Sequence, residues 1–283
     1  MLMNTNGQDI TNLTRLVEKE FNSLDGTFAV SYINLANLND RLAVNGDTVF
    51  HAASTMKTPV MVQVMRDVSE GRMSLEDSVL VKNEFKSIVD GSSYSMDIGD
   101  DSGEKLYELI GHSTTIRELV FQMITVSSNL ATNILIDIID ARRVMATLQE
   151  LGVNGVTVLR GVEDGLAFNA GLNNTVTANG LAELFSKIYI RQYPDAPRYN
   201  EMISILRQQQ FKDLIPSTLP KGVIVAHKTG SITGVMHDSG LIYLPDGRVY
   251  VLVILGKGIK NVPEVKKMYG RVSEAVYKYV TGE

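Results

Sequence analysis

The apolar positions of this chain change their period several times. Between residues 9 and 22, Ile10, Leu13, Leu16, Val17 and Phe21 recur at helical spacing and predict an amphipathic helix. Two short runs then alternate apolar and polar residues, at 27–35 and 40–45, as the strands of an antiparallel hairpin do. After Ser54 the pattern turns helical for a long middle stretch. Thr115 with Glu118 makes a capping-box signature ahead of an amphipathic segment. Residues 129–140 and 141–151 read as two further helices, the second stopped by Gly152. A Gly- and Asn-rich loop covers 160–177, and 177–190 is again helical. Strands return at 223–230, 237–245 and 248–255, the last two joined by an Asp246-Gly247 turn, and a helix over 262–280 closes the chain.

This order predicts an α/β fold: an antiparallel sheet built from both ends of the chain, flanked by N- and C-terminal helices, with an all-helical lobe inserted between. The expected organisation is a single domain over residues 1–283, with an α/β lobe from 1–53 and 206–283 and a helical lobe over 54–205. A crevice between the lobes is where a binding site is expected.

Composition narrows the function classes. A chain of 283 residues with 44% hydrophobic and 21% charged residues is ordinary for a globular protein. The net charge of −5, with no dense Lys/Arg block, argues against a nucleic-acid partner. No apolar run reaches the roughly 18 residues of a membrane helix. Cysteine is absent, which excludes disulfides, thiol nucleophiles and thiolate metal sites. His51, His112 and His227 lack metal-ligand spacing, so neither a metal nor another cofactor is expected. The partner expected is a small molecule, and the state expected is a monomer. The N-terminus has no basic segment followed by a long apolar one, so an exported protein whose leader is absent from this chain is expected, a cytoplasmic address standing beside it.

The stretch "HAASTMKTPVMVQVM", residues 51–65, carries the first candidate chemistry. Pro59 belongs in a helix's first turn, so the helix should begin near Met56 with Ser54 at its entrance. Lys57, three residues on, shares a face with Ser54 and can reach its hydroxyl. Burial would lower the lysine pKa and let a neutral amine take the serine proton. Backbone N–H groups at the helix start suit a developing oxyanion. A second Ser-x-x-Lys, Ser102 to Lys105, lies in the polar run "DIGDDSGEK" and reads as a solvated loop. Ser127-Ser128-Asn129 falls at a break between helices, where it also serves as an N-cap. Lys228-Thr229-Gly230 ends a predicted strand.

Taken in order, "STMK", "SSN" and "KTGS" resemble the motif set of the penicillin-recognising serine enzymes, and within them the class A β-lactamases. The resemblance runs over nearly the whole chain and implies a β-lactamase/transpeptidase-like fold. It implies that Ser54 is the nucleophile, Lys57 its proton acceptor, and Ser127 the proton relay to the leaving nitrogen. Asn129 would bind the substrate amide, Lys228 and Thr229 its carboxylate, and the N–H groups of Ser54 and Ser231, beside Gly230, the oxyanion. Glu163 is the candidate for holding the deacylating water, with Asp164 as its rival. The loop departs from the family: Asp164 follows Glu163 where proline is usual, Ala167 replaces an asparagine, and the brace is Arg160 with Asn174. A gapless count puts His237 where relatives carry a carboxylate-binding arginine, a weaker and pH-dependent substitute, although an ordinary strand histidine fits as well. Tyr94 or Tyr107 could line the crevice. The function implied is a serine hydrolase opening the β-lactam amide. A D-alanyl peptidase or esterase on the same site, or a penicillin-binding sensor that stays acylated, are the alternatives.

Overall fold

The computed structural model describes residues 9–283. Its strand Val249–Lys257 is apolar at almost every position because both of its faces are covered. Tyr250, Leu252 and Ile254 enter one core and Val249, Val251, Val253 and Leu255 the other, as the period-two alternation of a strand requires. The strands of the main sheet are β1 (Thr27–Asn34), β2 (Arg41–Val44), β3 (Ile224–Ile232), β4 (Val235–Tyr243) and β5 (Val249–Lys257). They pair antiparallel in the order β3-β4-β5-β1-β2, so the two ends of the chain share one sheet and β3 forms an edge.

The helices are α1 (Ile10–Asn22), α2 (Lys57–Ser69), α3 (Ile116–Thr125), α4 (Asn129–Ile139), α5 (Ala141–Leu151), α6 (Gly165–Asn169), α7 (Ala178–Arg191), α8 (Ala196–Leu206) and α9 (Val262–Thr281). Leu13, Val17 and Phe21 of α1 join Val265, Tyr269 and Val272 of α9 in the core beneath Tyr32 and Tyr250. Helix α7 packs on the opposite face, bringing Leu181 and Phe185 to the core that holds Ala29 and Val253. Helix α2 is buried along nearly all its length and packs against α3, α4, α5 and α8. Helix α8 was not foreseen from the apolar pattern, although Asp195 caps it and Pro197 stands in its first turn.

Local signals act as expected at several ends. Thr115 accepts from the Glu118 N–H at 3.1 Å, while the Glu118 carboxylate turns to Gln122 and leaves the capping box half made. Gly152 stops α5 with a left-handed φ of 65°. Two features place the site. The turn Ala53–Met56, which leads into α2, lies against β3 and β4. The strand pair Phe50–His51 bonds to Thr175–Val176, and Val156–Thr157 bonds to it from the other side, so one small ribbon ties this turn to both ends of the 158–174 loop.

Candidate active site

Ser54 sits in the turn Ala53–Met56 just after Ala53, whose φ is 44°. A left-handed alanine costs on the order of 1–3 kcal/mol. Two other residues of the site, Ser127 (φ 63°) and Glu163 (φ 60°), share that unfavoured conformation. Gly230 on β3 closes on the same turn: a Cβ there would stand 3.0 Å from the backbone nitrogens of Ser54 and Thr55. Glycine therefore lets the sheet edge approach the helix start and brings Ser231 beside Ser54. Both residues line the two chambers of one cleft. One chamber, of about 290 Å³, is walled by Ser127, Asn129 and Thr229; the other, of about 650 Å³, opens under Glu163, Arg160 and Phe168.

Lys57 is fully buried, and its Nζ donates to the Ser127 carbonyl at 2.6 Å and to Asn129 Oδ1 at 2.7 Å. Ser127 Oγ lies 3.3 Å away. The first two partners can only accept, so they fix two N–H bonds and leave the third direction of the nitrogen toward hydroxyl groups. The Ser54 hydroxyl has no hydrogen-bond partner among the described residues; the acceptor-only oxygens of Ser127 and Asn129 hold the ammonium instead of the expected Lys57–Ser54 bond. Burial pushes the Lys57 pKa down to about 7, against the pull of Asp101 and Glu163. Lys228 is equally buried and donates to Ser127 Oγ at 3.0 Å and to the Thr229 carbonyl at 2.8 Å. Burial first, then the facing Lys57 charge, holds it well below an ordinary lysine. Ser127 Oγ thus stands between two lysines.

Ser128 caps α4, accepting from the Ala131 N–H at 3.2 Å, so its capping role and its place in the motif coexist. Asn129 Nδ2 donates to Glu163 Oε1 at 2.6 Å and links the lysine to the loop carboxylate. Glu163 is itself exposed, yet the cleft walls around its carboxyl raise its pKa by desolvation while the Asn129 bond opposes the rise. Asp164 points elsewhere. Its buried carboxylate accepts from Ser87 Oγ at 2.9 Å and from the N–H groups of Ile88 and Ala167, both at 3.0 Å, capping α6. Burial would raise its pKa, but these donors and Arg160 hold it below the usual value. Its oxygens are occupied by the loop.

Four expectations need correction. His237 does not face the cleft: it is fully buried, its Nε2 lies 2.8 Å from the His51 carbonyl, and Nδ1 accepts from Gly256 N at 3.3 Å. Those partners require the neutral ring with its proton on Nε2, and burial lowers the pKa to about 4, so it offers no cation to a carboxylate. The brace of the loop also differs. The Arg160 guanidinium reaches Asn173 Oδ1 at 3.1 Å and the carbonyls of Leu172 and Gly161, whereas Asn174 binds the backbone of Leu159 and Arg160. Neither Tyr94 nor Tyr107 lines the two chambers; their hydroxyls bond to the Val162 carbonyl and to Asp101. The polar run 97–105 likewise is not simply solvated. Asp100 and Ser102 line the cleft, and Asp101 is buried. Asp213 and Lys266, which the sequence reading passed over, also line the cleft and pair with each other. His51 lines the Glu163 chamber, its Nδ1 accepting from Ala53 N at 3.1 Å and its ring 6.1 Å from that of Phe168.

A serine at a strained helix start, a buried lysine beside it and a hydroxyl held between two lysines, under an antiparallel sheet edge, define a serine acyl-transfer enzyme of the β-lactamase/transpeptidase-like fold. Sequence comparison gives the family: the profile described as the β-lactamase enzyme family matches residues 10–280, and the chain belongs to that family. It is 22% identical to β-lactamase VEB-1 of Pseudomonas aeruginosa, covering 95% of this chain and 90% of that protein. A β-lactamase from Sphaerobacter thermophilus superposes with a TM-score of 0.82 at 24% identity, over 97% of this chain and 98% of that one. A variant of PBP-A, solved as an acyl-enzyme complex with penicillin G, superposes with a TM-score of 0.81 at 27% identity, over 98% of both chains.

Proposed function

We propose that this protein is a serine β-lactamase that opens the β-lactam amide through an acyl-enzyme on Ser54. The observation that carries the reading is the bridge Lys57–Ser127–Lys228 beside an unpartnered Ser54 hydroxyl. Ser54 Oγ attacks the lactam carbonyl and gives its proton to the neutral Lys57 amine, whose two N–H bonds are already committed. The N–H groups of Ser54 and Ser231 receive the oxyanion. As the lactam C–N bond breaks, Ser127 Oγ protonates the nitrogen and is resupplied from the lysines on either side. Lys228 and Thr229 take the substrate carboxylate, in the chamber whose wall also carries the Lys266–Asp213 ion pair.

Glu163 then activates a water in the larger chamber, where its raised pKa makes it a better base than an ordinary carboxylate. The ester carbonyl of the acyl-enzyme is attacked, Ser54 leaves with a proton, and the opened acid departs.

An intact-protein mass time course after adding benzylpenicillin tests this, with release of the opened product followed in parallel. A transient adduct that clears as product accumulates is expected, and Ser54→Ala should show no adduct. Labelling that persists in the alanine variant would remove Ser54 from its role. A lasting adduct on the wild type would leave acylation in place and overturn the hydrolytic step.

A further inference from the structure

Asp101 lies in a run whose composition marks it as solvent-facing, yet it is only 4% exposed. Its Oδ1 accepts from the N–H groups of Gly103 at 2.8 Å and Asn129 at 3.0 Å. Oδ2 accepts from the N–H groups of Asn129 at 2.9 Å and Leu130 at 2.8 Å, from Tyr107 OH at 3.2 Å and from Ser128 Oγ at 3.3 Å. A single carboxylate therefore gathers the first N–H groups of α4 and the hydroxyl that caps it. The loop backbone is pressed equally close. A Cβ on Gly103 would stand 2.4 Å from Ser128 Cβ, so this position needs glycine for the approach. The neighbours of Asp101 face the other way, Asp100 and Ser102 lining the cleft beside Ser54.

We propose that Asp101 is a positioning residue for acylation: it fixes the start of α4, and with it Ser127 and Asn129, and it sets a negative charge behind Lys57. The proposal rests on the reading of Ser54 as nucleophile. The second motif carries serine at its middle position, and the carboxylate that binds there arrives from a separate loop. Ser127, held at a φ of 63°, has Asp101's partner Ser128 directly after it, so the clamp acts next to the strained residue. The charges facing Lys57 are Asp101 and Glu163, which favour its ammonium, and Lys228 across Ser127, which opposes it. Withdrawing Asp101's charge lets Lys57 lose its proton at lower pH.

The test compares the rate of Ser54 acylation by benzylpenicillin, read by intact mass from pH 5 to 9, in wild type, Asp101→Asn and Tyr107→Phe, each well below its melting temperature. Adduct formation by the wild type tests the reading of the site; the ratio of variant to wild type tests Asp101. The Asn variant is expected to acylate about tenfold or more slowly at its optimum, with the acid limb of its profile displaced to lower pH. Tyr107→Phe removes one donor and leaves the cap intact, so acylation is expected to slow about two- to fivefold. If the Asn variant does not fold, the Tyr107 result decides alone. Rates within about twofold of wild type and an unmoved acid limb, even with a lowered melting temperature, would make Asp101 a scaffold residue and overturn the proposal.

Discussion

Replacing Lys57 by methionine should weaken the dependence of stability on pH. In the native protein burial brings the Lys57 pKa from 10.5 to about 7. The folded state therefore binds this proton more weakly than the unfolded chain, so the group handicaps folding wherever the unfolded chain is protonated. At about 1.4 kcal/mol per pH unit, the handicap is about 5 kcal/mol at pH 6, falls to about 2 kcal/mol at pH 9, and is gone above the unfolded value. Methionine matches the length of the stem and carries no charge. It leaves the Ser127 carbonyl and Asn129 Oδ1 without a donor, a cost of about 1–3 kcal/mol each that does not vary with pH. The absolute difference between the proteins mixes both effects, but its pH dependence isolates the proton. Urea unfolding of both proteins at pH 6, 7.5 and 9 should show the wild type gaining about 2–3 kcal/mol on the variant across that range. Relief of Lys228, whose pKa the Lys57 charge also depresses, adds to the same trend. Parallel stability curves would refute the buried, depressed lysine and with it the neutral amine proposed as the acceptor in acylation. In the wild type the same titration should make the acylation rate fall about tenfold per unit below pH 7.

Glu163→Gln should keep the rate of adduct formation and slow its clearance by about 10²–10⁴, measured as acyl-enzyme lifetime; unchanged turnover would move the base elsewhere. Asn174→Ala should cost about 2–3 kcal/mol in urea unfolding, because three hydrogen bonds to the Leu159–Arg160 backbone are lost, while Asn173→Ala should cost less than half as much; equal losses would contradict this bracing. Gly230→Ala should slow acylation by at least about tenfold with about 1 kcal/mol of destabilisation, since its Cβ would meet the nitrogens of Ser54 and Thr55; a wild-type rate would mean the turn can yield. His237→Gln should leave the pH dependence of KM for benzylpenicillin unaltered, because the ring is buried and neutral above about pH 4.

The parts of the site legible in the sequence are those set by local rules. Pro59 and the Ser54–Lys57 spacing place the pair at a helix start whatever surrounds it, Ser128 caps α4 by its own hydroxyl, and Lys228 to Gly230 lie on an apolar strand. What escaped depends on contacts between distant segments. A gapless count carried His237 to the cleft, but its ring partners come from His51 and Gly256, neither of which the count can see. Asp101 sits among polar neighbours, and its burial comes from N–H groups 28 and 29 residues further along the chain. Glu163 and Asp164 are equal as letters; the turn at Glu163 sends one carboxylate to Asn129 and the other to Ser87.

The strained backbone explains why this division falls where it does. Ala53, Ser127 and Glu163 each hold a left-handed φ that costs on the order of 1–3 kcal/mol, and they stand immediately before Ser54 or at the proposed proton relay and the loop carboxylate themselves. Nothing in their residue types favours that conformation, so each must be imposed from outside. Ala53 lies between Ala52, whose N–H donates to the Asn174 carbonyl at 2.9 Å, and a turn closed by Gly230. Ser127 is held through its carbonyl by Lys57 and through its neighbour Ser128 by Asp101. Glu163 is flanked by Val162, whose N–H donates to Asn133 Oδ1 at 2.6 Å, and by the anchored Asp164. In each case the clamps come from segments remote in sequence. The chemistry is written in short motifs, and the geometry that makes it usable is supplied by residues such as Asn133, Asn174 and Asp101 that belong to none of them.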